Sequence, residues 1–398
     1  MPPLDIPLDN ITEADLRNLL TMKVGESSYL DYKQQTYGDS GDNRSEFLAD
    51  VSSFANTLGG DIVIGIEEQD GTPTKLMPFE GDADQETRRL EQIALTGLEP
   101  RINHLRIRAI PIASGGHVLV VRIPRSFLPP HRVIARDSNK FWARAGTTKY
   151  QPNVHQLRQL FNDAPHMAER IRSFQADRLV KIAAGDTPIP LNQLGKVVVH
   201  VIPVPSFADG RLADIVQAIA TGTHVPLPPD EIGGSNQTGV NLDGFYNYTN
   251  RHEEGTRLAY AQFFRNGAME GVGELRHEPD GQSRFVGLDF TTLVIKAVRQ
   301  YLGVLKSYDT GLPVYVFLSL CNATRTVYRY SPEGLGWSET SPIGREIVAL
   351  PEIYLDNYDV DVPAVLRPVF NVLWNAVGLH RCDMYDSQGE WRGSNVRN

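Results

Sequence analysis

A chain of 398 residues, 41% hydrophobic with 15 Phe and 15 Tyr, is long enough for two packed cores. Its net charge of −9 argues against a generic polyanion binder, and two cysteines, Cys321 and Cys382, are too few for a Cys-rich zinc site. No apolar run reaches membrane-spanning length, and Met1-Pro2-Pro3-Leu4-Asp5 lacks the parts of a signal peptide. A cytoplasmic protein without a membrane partner is therefore expected.

Thr12, with Asp15 three residues on, predicts a capped first helix over 13–22. The string ESSYLDYK, Glu26 to Lys33, predicts a short strand. Its alternation sets Asp31 and Lys33 on one face, Leu30 and Tyr32 on the other. Phe47, Leu48, Val51, Phe54, Ala55 and Leu58 recur at helical spacing over 44–58, and Gly59-Gly60 stops that helix. Ile62, Val63, Ile64 and Ile66 read as a strand covered on both faces, from which Glu67 and Glu68 emerge toward the turn at Asp70-Gly71. Asp82 opens another helix to about Thr96. Residues 102–112 and 117–123 read as one hairpin, 132–135 and 141–144 as a second, and a helix over 153–161 closes the first domain.

Residues 100–158 hold eleven Lys and Arg but one acid, Asp137. Such a local basic field inside an acidic chain is the footprint of phosphate contact. Arg106, Arg108, Arg132, Arg136, Lys140, Arg144 and Lys149 are the candidate nucleic-acid-binding residues, with His131 beside them; Arg106, Arg108, Arg132 and Arg144 are expected to line one continuous surface.

Residues 166–184 read as a charged connecting helix and 185–190 as a linker. The second domain then opens on a strand at Lys196. A helix over 212–220, a Pro- and Gly-rich loop over 224–235, strands over 244–248, 257–265 and 268–275, a helix over 289–308, strands over 314–320 and 325–330, and a final helix over 362–377 follow. The mixed order predicts an α+β chain. Its domains are 1–165, a connecting helix and linker over 166–190, and a sensor or interaction domain over 191–398.

The strings E-x-x-x-L-D-x-K and F-A-N-T-x-G-G-x-x-x-I-G-I-E-E, followed by Pro129-Pro130-His131 and Phe141-Trp142-Ala143-Arg144-Ala145-Gly146, resemble the AlbA-like domain of the Schlafen family over residues 20–162. The resemblance implies an α/β nucleic-acid-binding domain. It further implies that Glu26, Asp31 and Glu68 hold Mg²⁺ or Mn²⁺ for cleavage of RNA such as transfer RNA; Lys33, on the same strand face as Asp31, is the further catalytic candidate, to hold the carboxylate or a phosphate. Asp31 and Glu68 depart from the family's usual Glu and Asp, which keeps the charge but moves the oxygens. Family nucleases pair two related lobes. One lobe here implies a homodimer.

Three readings follow. The first is a divalent-metal-dependent endoribonuclease on structured RNA, as in phage defence. The second is a non-catalytic DNA- or RNA-binding transcriptional regulator. The third is an ATP-binding or ligand-sensing interaction protein, although neither G-x-x-x-x-G-K-[ST] nor a post-strand G-x-G-x-x-G is present.

Overall fold

The computed structural model describes residues 4, 6–102, 104–207, 226–229, 236–249, 259–277, 279, 281–308, 311–331 and 336–395. The chain divides into two compact units, Met1–His166 and Met167–Asn398. Both mix helices with sheets, as an α+β chain should.

The first unit opens with helix α1, Glu13–Thr21, whose Thr12 and Asp15 form the reciprocal cap read from the sequence. Strand β1 is Leu30–Lys33, helix α2 is Gly41–Ala55 and strand β2 is Gly60–Ile64. A hairpin of β3, Ile66–Gln69, and β4, Thr72–Leu76, precedes helix α3, Ala83–Gly97. Strands β5 (Leu98–Glu99), β6 (Arg106–Pro111), β7 (His117–Ile123), β8 (Arg132–Val133), β9 (Lys140–Phe141), β10 (Ala143–Ala145) and β11 (Thr148–Tyr150) complete it.

The main sheet runs β1-β2-β7-β6, with β1 and β2 parallel and β2 and β7 antiparallel. Alternation sorts its two faces. Ile62, Ile64, Leu119 and Val121 pack against Phe47, Val51 and Phe54 of α2 and Leu90 of α3. Leu30, Tyr32, Val63 and Val120 face Leu16 and Leu19 of α1 and the segment carrying Leu4, Leu8 and Ile11. Ile62, Val63 and Ile64 are fully buried, worth about 2 kcal/mol each.

The single strand expected over 61–66 is cut at Gly65. Its φ of +107° turns the chain out of the sheet, and a Cβ there would sit 3.2 Å from the Met77 carbonyl. Glu67 and Glu68 therefore lie within β3 rather than past a strand end. Asn56, just past α2, locks two distant motifs together. Its amide donates to the carbonyls of His131 and Trp142 at 2.9 Å each, and its Oδ1 accepts from His131 N at 2.7 Å.

Residues Val154–Ala184 form one helix, α4, where the sequence suggests two, over 153–161 and 166–184. Pro165 lies inside it; a proline removes one helical hydrogen bond and need not end the helix. In the second unit an eight-stranded sheet centres on β12, Lys196–Pro203. On one side of β12 lie β16 (Met269–Glu274), β15 (Ala259–Phe264), β14 (Gly244–Thr249) and β13 (Asn236–Val240), in that order. On the other lies the strand Val314–Cys321, and all these neighbours pair antiparallel. Helices α5, Gly287–Ser307, and α6, Val362–Ala376, cover one face around Phe285, Phe290 and Trp374. The helix expected over 212–220 lies outside the described residues, as does most of the loop over 224–235. Among the described residues no helix is long and apolar enough to cross a membrane.

One buried charge ties α4 to this sheet. Glu270 on β16 is fully buried and accepts both guanidinium bonds of Arg178 at 2.8 Å, the Tyr260 hydroxyl at 2.8 Å and His200 Nε2 at 3.0 Å. Burial alone would raise its carboxyl, but these partners hold it down at about 2. Arg178→Met should strand that charge and cost about 3–5 kcal/mol. Urea unfolding followed through the buried Trp374 and Trp391 checks it; a cost below about 1 kcal/mol would mean water already reaches Glu270.

Candidate functional site

Strand parity puts Asp31 and Lys33 on the face of β1 that α2 covers. There they meet an acid of the helix. Asp50 lies on the same helical face as Phe47, Val51 and Phe54, so packing α2 on the sheet buries it to 2% exposure. Lys33 Nζ lies 2.9 Å from Asp31 Oδ2 and 3.8 Å from Asp50 Oδ2. Tyr37 donates its hydroxyl to Asp50 Oδ2 at 2.8 Å, and Lys149 reaches Asp50 Oδ1 at 2.8 Å. Arg144 stacks its guanidinium on the Phe54 ring, 4.2 Å from the centroid, with Nη1 3.5 Å from Asp31 Oδ2. Lys149 and Arg144 come from the β10–β11 hairpin, which carries them over α2.

Glu26 joins this network from the chain before β1. Its Oε1 accepts the Tyr32 N–H at 2.9 Å, and its backbone N–H bonds the Gly71 carbonyl at 2.7 Å. Burial, and then a hydrogen bond with Asp31, push the Glu26 carboxyl up to about 7. Burial also acts to raise Asp31, but Glu26, Lys33 and Arg144 outweigh it and hold Asp31 below the usual carboxylate range. Of the two acids, Glu26 is therefore the one that holds a proton more readily and Asp31 the one that stays ionised. Lys33 is held charged: desolvation opposes its charge, and Asp50 and Asp31 more than compensate.

Glu68 is exposed, and its Oε2 accepts the Gly71 N–H at 2.5 Å. Glu26 and Glu68 are therefore neighbours through Gly71, yet each carboxylate is already engaged. Among the described residues no group of three His, Cys, Asp or Glu side chains is placed to hold a metal ion. The donor chemistry agrees. A divalent ion needs several bare carboxylate oxygens, whereas Asp31 faces Lys33 and Arg144, Glu26 Oε1 holds the Tyr32 N–H, and Glu68 Oε2 holds the Gly71 N–H. Glu26, Asp31 and Glu68 as arranged do not fit Mg²⁺ or Mn²⁺. Lys33 braces the two buried acids.

The basic stretch separates by exposure. Arg144 is a buried residue of the network, with a side chain only 2% exposed, so it does not join Arg106, Arg108 and Arg132 on one surface. His131 is buried too. Its Nδ1 donates to the Pro100 carbonyl and its Nε2 accepts the Ser126 hydroxyl, each at 2.5 Å, and burial lowers its pKa. It is a neutral brace with no nitrogen left for a ligand. Arg108 reaches the Leu8 carbonyl, and Arg106 pairs with Asp9 at 2.7 Å, so both grip the N-terminal segment. Arg132 pairs with Glu99 through Nε at 3.0 Å, Arg136 pairs with Asp42, and Lys140 is exposed. These last three share the small β5-β8-β9 sheet and its loop.

Asp50 and Tyr37 escape a motif-led reading. The signal for Asp50 is local: an acid set within a helix's apolar stripe either exposes the stripe or finds a buried cation. Tyr37, in the loop before α2, carries no comparable mark.

Because native Glu26 holds its proton more tightly than the unfolded chain does, its contribution favours folding at low pH. That contribution is lost as pH rises from about 4.5 to about 7. Glu26→Gln keeps the acceptor for Tyr32 and supplies a permanent N–H to Asp31. It should leave stability unchanged at pH 5 and raise it at pH 8 by about 1 kcal/mol, screening at this half-buried site allowed for. Urea titrations at both pH values decide, and an unchanged pH profile would contradict the raised Glu26 carboxyl.

Residues 26–153 match the family model described as Schlafen, AlbA_2. No curated protein matches the chain. Among solved structures, the DIP2311 protein of Corynebacterium diphtheriae is 16% identical with a TM-score of 0.28, over 38% of this chain and 28% of its own. The N-terminal domain of a RecG-related protein from Nitrosomonas europaea is 21% identical with a TM-score of 0.24, over 29% of this chain and 74% of its own. With its strand-helix-strand core bearing Glu26, Asp31 and Lys33, the chain carries a Schlafen AlbA_2 domain over residues 26–153.

Proposed function

We propose that the first domain binds nucleic acid through exposed cations and needs no resident divalent ion to do so. The family match supports nucleic-acid binding. The observation that carries the rest is the contrast between two kinds of ion pair. Arg144–Asp31 has side chains only 2% and 7% exposed, whereas Arg132–Glu99 stands at 39% and 56% and Arg136–Asp42 at 61% and 91%. Exposed pairs hold by about 0–1 kcal/mol, so a phosphate can replace the carboxylate. The buried acids carry their own cations and do not repel the ligand.

A second reading, metal-dependent cleavage of structured RNA such as transfer RNA, draws on Glu26 and Glu68 meeting at Gly71 beside Asp31. It requires Lys33 and the Gly71 N–H to release their carboxylates. Transfer RNA incubated with the protein and Mn²⁺ separates the two. Binding alone predicts intact RNA; cleavage abolished by Glu26→Gln would favour the second reading.

Arg136→Glu with Lys140→Glu should weaken binding to a labelled RNA or DNA and lower the slope of log affinity against log salt by about 1.5, two phosphate contacts being lost. Anisotropy titrations at several salt concentrations measure it. An unchanged slope would show that these side chains meet no phosphate.

A further inference from the structure

Phe161 on α4 has 56% of its surface exposed, and Val154, seven residues earlier on the same helix, has 71%. Single exposed apolar side chains need no explanation. This one is not single. Phe161 meets Phe141 of β9 edge to face, with ring centroids 6.0 Å apart and planes at 76°. Arg132 is the cross-strand partner of Phe141, so its guanidinium leaves the same face of that small sheet. The exposed Arg158 lies one turn before Phe161 by helical spacing.

We propose that Phe161, set upright by Phe141, is a stacking platform for an unpaired base, and that Arg132 and Arg158 take the phosphates on either side. The inference rests on the phosphate-binding reading above and narrows its substrate to single-stranded nucleic acid. Charge complementarity selects this occupant: two cations, Arg132 and Arg158, flank the ring pair, and Glu99, already paired with Arg132, is the acid on that strand row. A base stacked inside a duplex has no free face to offer a ring, whereas an unpaired base offers one whatever its identity.

The test is anisotropy with a labelled twelve-nucleotide oligouridine and with a duplex of equal length, for the parent protein and for Phe161→Ala and Phe161→Trp. Phe161→Ala should lose about tenfold in affinity for the single strand at an unchanged salt slope, keep its duplex affinity, and regain binding in Phe161→Trp. Circular dichroism melts confirm that all three are folded. Equal single-strand affinity for parent and Phe161→Ala overturns the proposal. A parent that binds only the duplex overturns it too and leaves phosphate binding standing; a parent that binds neither removes both. Sedimentation that turns from dimer to monomer in Phe161→Ala, with oligouridine affinity unchanged, overturns it in favour of a contact between two copies of the chain.

Discussion

The first unit depends on the burial of Asp50 against Lys33. Helix α2 cannot lay Phe47, Val51 and Phe54 on the sheet without taking Asp50 with them, and a buried carboxylate without partners costs several kcal/mol. The remedy comes from three directions: Lys33 from β1, Tyr37 from the loop before α2, and Lys149 from the β10–β11 hairpin. Each partner must hold its element in place to serve. The hydrophobic contact of one helix thereby fixes the strand and loop that precede it and a hairpin about a hundred residues away.

The same constraint divides the functional surface. Cations drawn inward to compensate Asp31 and Asp50 are unavailable to a ligand, and the cations left at the rim are paired weakly enough to exchange. Neutralised acids also explain how phosphates can approach a domain that sits in a chain of net charge −9. The hydrogen bond between Glu26 and Asp31 serves the same balance, since it favours the neutral form of Glu26 beside an ionised Asp31.

Local patterns were legible. Alternation placed Asp31 and Lys33 together on the α2 side of β1, and the Thr12–Asp15 box opened α1; α2 itself ends at Ala55 with Asn56 as its cap, short of the expected stop at Gly59. Non-local pairing was not. Eleven cations with one acid between 100 and 158 suggested a free positive surface, yet Arg144 finds Asp31 at a separation of 113 residues and Lys149 finds Asp50 at 99. His131 looked ready for substrate because its neighbours are two prolines; its burial depends on Pro100 and Ser126, which no local pattern brings to it. Glu68 matched a family position, but the turn at Gly71 supplies an N–H that a motif does not record.

Carbon-detected NMR titration of the Glu26 and Asp31 side-chain carboxyls tests the central claim, that the acids of this domain are neutralised from within. Glu26 should titrate near pH 7 and Asp31 below the ordinary aspartate range, and Asp31→Asn should lower the Glu26 value part of the way toward 4.5. Two independent titrations at ordinary carboxylate values in the parent protein would contradict it.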